Sequence, residues 1–257
     1  MELNGRPADP DALATLALTN YGHFTTMRVD DGRVRGLGLH MERLAGNCRA
    51  LFGAELDIDR VRAYVARAVP ATAGSLVVRV TVFDPSLDLG HPSAASTPHI
   101  LVTTRPAGPA TVPPFRVRTV PHVRDAPTVK NVGLFGLLNA RREAQLAGFD
   151  DALFVGPDGG ISEGGTWNVA FVDARGTVVW PEAEVLPGIT MALVRRDDHV
   201  VARVTTDDLP SMKAAFATNA AIGVRAIAAV DDVQLDAGHP VVKALQDAYL
   251  GLAGEPV

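Results

Sequence analysis

Residues 105–114, RPAGPATVPP, place four prolines within ten positions. Proline has no backbone N–H and a fixed φ, so neither a helix interior nor a central strand runs through such a stretch. Its composition is that of a linker. It predicts a small α+β domain over 1–104, an interdomain linker over 105–114, and a large domain over 115–257. The patterning differs on the two sides.

Upstream, HFTTMRVDDGRVRGLGL reads as a hairpin of two alternating strands turned at Asp30-Asp31-Gly32. HMERLAGNCRALFG follows as an amphipathic helix, with Met41, Leu44, Cys48, Leu51 and Phe52 on one stripe and Gly53 closing it. DIDRVRAYVARAV is a second helix, acidic in its first turn and followed by Pro70; SLVVRVTVF and PHILVTT are strands. Downstream the pattern changes to short strands, FRVRTV, DALFV, NVAFVD, TVVW and VARVTT, interrupted by helices near 134–147, 189–197 and 239–251. That order predicts an α+β domain around a largely antiparallel sheet.

A net charge of −5 with both signs interspersed leaves no footprint for nucleic acid or an anionic membrane. No apolar run approaches the roughly 20 residues needed to span a bilayer. The N-terminal stretch has no basic region followed by an apolar one, so no secretory signal is expected. One cysteine, Cys48, excludes an intrachain disulfide, and the seven histidines lack ligand spacing, so no metal is expected. These readings predict a cytoplasmic protein. No dinucleotide fingerprint, phosphate-binding P-loop or Gly-x-Ser-x-Gly elbow is present.

Only three of the 24 basic residues are lysines: Lys130, Lys213 and Lys243. Lys243 falls off the apolar stripe of the last helix, and Lys213 follows a Pro-containing helix start; both read as surface residues. Lys130 sits in APTVKNVGLFGLL, with no other charge from Ala126 to Leu138. Apolar surroundings lower the pKa of an amine, which is what a Schiff-base lysine requires. A lysine snorkelling from a loop is the competing reading.

LPGIT, 186–190, places Pro-Gly directly before a helical run, and helix starts present N–H groups to anions. Gly188 permits close approach and Thr190 adds a hydroxyl. Thr218-Asn219 form a second hydroxyl and amide pair, and Arg43 on the first long helix offers a bidentate cation. Glu163 lies in an apolar strand–turn–strand segment beside Gly164 and Gly165. Those glycines predict either a kink or a close approach by a ligand. An aldehyde for Lys130, a phosphate for the Gly188 turn and a basic ring nitrogen for Glu163 describe pyridoxal 5′-phosphate. A surface role for Arg43 and a solvent-facing strand role for Glu163 compete with this.

In their order and spacing, YGHFTTMRVDDGRV, LHMERL, Lys130, EAQLAGFDDALFVGPDGGISEGGTWNVAFV, LPGIT and TNAAIGV resemble the class IV aminotransferases. The likeness covers nearly the whole chain. It implies the two-domain α+β fold of the D-amino-acid aminotransferase-like enzymes, with pyridoxal 5′-phosphate between the domains, amino acid and oxo acid substrates, and a homodimer. By that resemblance Lys130 is the Schiff-base lysine and proton shuttle, and Glu163 is the partner of the pyridine nitrogen. Arg43, Gly188, Ile189, Thr190 and Thr218 match phosphate-holding positions, with Asn219 added beside them. Phe24 and Thr26 are substrate-side candidates.

Within the family the pieces diverge. Phe135 stands five residues after the lysine, where branched-chain enzymes carry a tyrosine, and Phe24 replaces a tyrosine of the D-amino-acid enzymes. The Phe-Thr-Thr run resembles aminodeoxychorismate lyase, yet the loop reading VFDPSLDLGHP has no arginine for substrate carboxylates. The leading expectation is an aminotransferase. Elimination to 4-aminobenzoate and pyruvate is the alternative, and a non-catalytic binding module the third.

Overall fold

The computed structural model describes residues 1–70 and 74–257. They form two compact units: Met1–Gly108 with Val129–Gly133 and Ala253–Val257, and Pro109–Thr128 with Leu134–Leu252.

The first unit holds β1 (Glu2–Leu3), β2 (Arg6–Pro7), α1 (Pro10–Thr19), β3 (His23–Asp30), β4 (Arg33–Val34), α2 (Leu37–Phe52), α3 (Ile58–Ala68), β5 (Leu76–Phe83) and β6 (His99–Pro106). Its antiparallel sheet runs Glu255–Pro256, β4, β3, β5, β6, β1, β2. Alternation along β3 sends Met27 and Val29 into a core with Leu37, Met41, Leu44 and Cys48 of α2 and Val61 and Val65 of α3. Phe24, Thr26 and Arg28 therefore share the opposite face.

The expected hairpin is cut short. Its second strand stops at Val34, because Gly36 adopts φ 70° and starts α2 at Leu37. Leu37 is thereby carried into the core rather than onto a strand. Along β3, β4 then reaches Val29 and Asp30, so the first residues of β3 keep an open edge on that side. The segment around Lys130 takes that edge: Phe24 N donates to Lys130 O (2.9 Å) and Val132 N to Gly22 O (3.0 Å). The sequence reading passed over α1, which Asp9 caps through the Asp11 N–H with Pro10 at its first position.

The second unit contains β7 (Phe115–Pro121), α4 (Phe135–Leu146), β8 (Asp151–Val155), β9 (Ile161–Gly164), β10 (Asn168–Val172), β11 (Val178–Pro181), α5 (Ile189–Val194), β12 (Val200–Ala202), β13 (Ala214–Asn219), β14 (Gly223–Val230), β15 (Val233–Gln234) and α6 (Pro240–Gly251). Strands β10, β13, β14, β7, β8 and β9 pair in turn, and β9 pairs back onto β10, closing a barrel. Its ladders are mostly antiparallel, with parallel ones at β7–β8, β7–β14 and β11–β12. Phe115, Leu153, Ile161, Trp167, Val169, Phe171 and Ile227 fill the interior. The closing pair is Glu163–Asn168, and Asn168 lies opposite Thr218 on its other side. Barrel closure thus sets Glu163, Asn168 and Thr218 in one lateral row on one face of the sheet.

The helix expected over 189–197 is shorter, ending at Val194 where Arg195 turns extended (φ −69°, ψ 137°). The helix start expected before Lys213 is a short 3-10 helix, Thr206–Ser211, boxed by Thr205 and Asp208. Among the described residues no helix is long and apolar enough to cross a membrane.

Candidate active site

In the first unit the candidates gather at the start of β3 and on one face of α2. His40, Arg43 and Asn47 recur at three- and four-residue spacing along that helix. Asn47 Oδ1 accepts from the Lys130 N–H at 3.0 Å. Arg43 Nη2 donates to Thr25 Oγ1 at 2.7 Å, and Thr25 Oγ1 lies 2.6 Å from His40 Nδ1. A guanidinium only donates, so the Thr25 hydroxyl accepts from Arg43 and passes its own hydrogen to His40 Nδ1. His40 then carries its proton on Nε2, which is buried and has no partner among the described residues. Burial, with the charges of Arg43 and Lys130, pushes the His40 pKa down to about 3. His23 falls to about 4 through burial and Arg43. Both imidazoles are neutral at pH 7.

Lys130 is partly buried, whereas Lys213 and Lys243 are exposed. The Lys130 ammonium lies 4.9 Å from the centroid of the Phe24 ring, and the Arg79 guanidinium 3.6 Å from the same centroid. Arg79 pairs across the strands with Thr26, two residues along from Phe24 and on the same face. Its Nε donates to Thr81 Oγ1 at 3.2 Å, and among the described residues it has no carboxylate partner. Burial lowers its pKa. VFDPSLDLGHP, residues 82–92, has no arginine, and Arg79 lies in the strand before it, where the alternation of SLVVRVTVF hides it. Phe135, at the tyrosine position of branched-chain enzymes, is 82% exposed.

In the second unit Glu163 is only 3% exposed, and donors line its carboxylate. Arg124 Nη1 reaches Oε1 at 3.4 Å; Asn168 Nδ2 and the Leu186 N–H reach Oε2 at 3.2 and 3.3 Å. Asn168 Nδ2 also donates to Leu186 O at 2.8 Å, which ties the Leu-Pro-Gly turn to the barrel. A Cβ on Gly188 would overlap Asn168 Oδ1, so the glycine there makes room for that carboxamide. The glycines beside Glu163 differ from expectation. Any Cβ on Gly164 would occupy the Trp167 indole, so this gap serves packing rather than a ligand. Gly165 has only ordinary neighbours.

Thr190 and Thr218 are each 1% exposed, and their hydroxyls have no partner among the described residues. Buried hydroxyls are normally satisfied, so two such groups fit an acceptor-rich ligand. Ile189 opens α5 in its uncapped first turn. Asn219 Oδ1 accepts from the N–H groups of Ala221 and Ile222, closing the β13–β14 turn. Arg79 and Asn168 escaped the sequence reading because their significance lies in cross-strand register.

The family model for amino-transferase class IV matches residues 22–230. The chain belongs to that family. Class IV aminotransferases use pyridoxal phosphate. The branched-chain-amino-acid aminotransferase of Pseudomonas aeruginosa is 34% identical over 122 residues, which are 44% of this chain and 39% of that protein's length. The branched-chain aminotransferase of Thermoproteus uzoniensis, solved with norvaline, superposes with a TM-score of 0.84 at 21% identity, covering 97% of this chain and 92% of that one. A putative 4-amino-4-deoxychorismate lyase of Legionella pneumophila gives 0.77 at 22% identity over 90% of each chain. Those two likenesses are of fold. The residues present suit the family's cofactor: a partly buried amine, a buried carboxylate and two buried hydroxyls with no partner among the described residues.

Proposed function

We propose that this class IV aminotransferase moves an amino group between an amino acid and a 2-oxo acid, with Lys130 as the amine that bonds pyridoxal phosphate. The observation that carries the reading is the fixing of Lys130. Its segment is sewn to β3 and to Asn47, and its ammonium shares the Phe24 ring with an arginine that has no carboxylate partner among the described residues. When bound, pyridoxal phosphate supplies an aldehyde for the amine and a ring that accepts electrons released at the substrate Cα.

The chain's own residues supply the rest. With the cofactor bound, the Lys130 amine would take the proton from the substrate Cα and return it at the cofactor's aldehyde carbon, on the far side of the amino nitrogen. Arg79 receives a substrate carboxylate, with Phe24 and Thr26 beside it on the same sheet face. Glu163 holds a proton at the ring nitrogen. Thr190, Thr218 and the Ile189 N–H donate to the phosphate, Arg43 offsets its charge, and Gly188 keeps the turn in place. We assign Asn219 to the β13–β14 turn that follows Thr218. The proposed assembly is the homodimer that the family resemblance implies, to be checked by sedimentation.

The purified protein is expected to bind pyridoxal phosphate with a visible absorbance band that Lys130→Ala abolishes. An unchanged band in that variant would refute the assignment. Half-reactions with L- and D-amino acids should convert the band and release one 2-oxo acid per site. Release of 4-aminobenzoate from aminodeoxychorismate without an oxo acid acceptor would instead favour elimination.

A further inference from the structure

The segment around Arg124, residues 122–127, reads HVRDAP and is charged. In the fold the Arg124 side chain is 8% exposed, its Nη1 lies 3.4 Å from Glu163 Oε1, and its Nε is buried without a partner among the described residues. The Glu163 side chain is 4% exposed. A buried carboxylate stays ionised only where a cation or strong donors compensate its lost hydration. Arginine is the cation suited to this, because its guanidinium keeps its proton at any working pH.

We infer that Arg124 is a positioning residue: it holds Glu163 ionised and aimed, so that the proton between Glu163 and the cofactor's ring nitrogen stays on the ring. The inference rests on the reading of Glu163 as the ring-nitrogen partner. A proton shared by a pyridine and a carboxylate can leave both neutral or both charged. A guanidinium against the carboxylate favours the charged arrangement, because it stabilises the anion. The two donors on Oε2, Asn168 Nδ2 and Leu186 N–H, act in the same direction. Arg124 acts through Glu163 and needs no contact with the cofactor.

The test loads the protein with pyridoxal phosphate labelled with nitrogen-15 in the ring and reads the ring-nitrogen chemical shift. Wild type and Arg124→Lys are expected at the protonated position. Arg124→Gln is expected to move toward the unprotonated position, in the direction that Glu163→Gln takes. A wild-type shift in Arg124→Gln, where Glu163→Gln moves, overturns the inference and leaves the reading of Glu163 standing. No movement in Glu163→Gln overturns that reading and the inference with it. Cofactor-free protein gives a second readout. The Arg124→Gln/Glu163→Gln double variant should melt closer to wild type than the summed losses of the single variants require. Additive losses overturn the pairing. If Arg124→Gln does not fold, soluble double variant supports the pairing and insoluble double variant overturns it.

Discussion

His40 makes the first unit sensitive to mild acid, and the size of the effect follows from its surroundings. Its ring is fully buried, it accepts the Thr25 hydroxyl on Nδ1, and Arg43 and Lys130 bring positive charge close. The folded pKa of about 3 lies below the ordinary 6.5, and His23 at about 4 behaves likewise. The unfolded chain therefore binds protons that the native chain refuses. Stability is full above about pH 6.5 and falls as the pH drops toward the two folded values. Each histidine costs about 1.4 kcal/mol per pH unit inside its window, so at pH 5 each removes about 2 kcal/mol. In His40→Asn the side-chain oxygen can still accept from Thr25 but no longer titrates. Urea unfolding of cofactor-free protein at pH 7 and pH 5 reads the difference. The loss between the two pH values should be smaller in His40→Asn by about 2 kcal/mol, or about 1 M in midpoint at a typical slope. A general destabilisation by the substitution cancels, because only the pH difference is compared. An equal loss in both proteins would refute the buried, neutral His40.

Gly188→Ala should force the Asn168 carboxamide off Glu163 and Leu186. Two buried hydrogen bonds at about 1–2 kcal/mol each predict a melting temperature several degrees lower and weaker cofactor binding; unchanged values would count against this. Gly164→Ala should displace the Trp167 indole and break its 2.9 Å bond to Asp151 Oδ2, seen as a shifted, more solvent-exposed tryptophan emission; an unaltered spectrum would contradict it. Arg79→Gln should leave the visible band of the loaded protein intact and raise the KM for the amino donor tenfold or more, the loss of a charge-assisted bond of about 1.5–3 kcal/mol. An unaltered KM would remove Arg79 from the substrate site.

Features legible in the sequence are those whose cause is local. Gly53, Pro70 and the Asp30-Asp31-Gly32 turn punctuate elements through their own backbone preferences, and the Met41–Leu44–Cys48 stripe declares which face of α2 is buried. Lys130 stood out because lysines are scarce and its flanks are uncharged. The features that stayed hidden are set by pairing between distant strands. Arg79 reads as one more polar alternation until the β3–β5 register puts it opposite Thr26 and over Phe24. Asn168 reads as a strand start until barrel closure makes it the neighbour of both Glu163 and Thr218. Gly164 shows the same limit from the other side. A missing side chain announces only that space is needed, and the three-dimensional neighbour decides whether an indole or a ligand fills it. Even the open edge for Lys130 depends on Gly36 ending β4 after two residues. The residue types that chemistry requires can thus be picked out along the chain, while the partners that orient them are written in register. Substitutions at Gly36 or Asn168, neither an evident functional residue by type, should therefore disturb the site as much as changes to the residues they position.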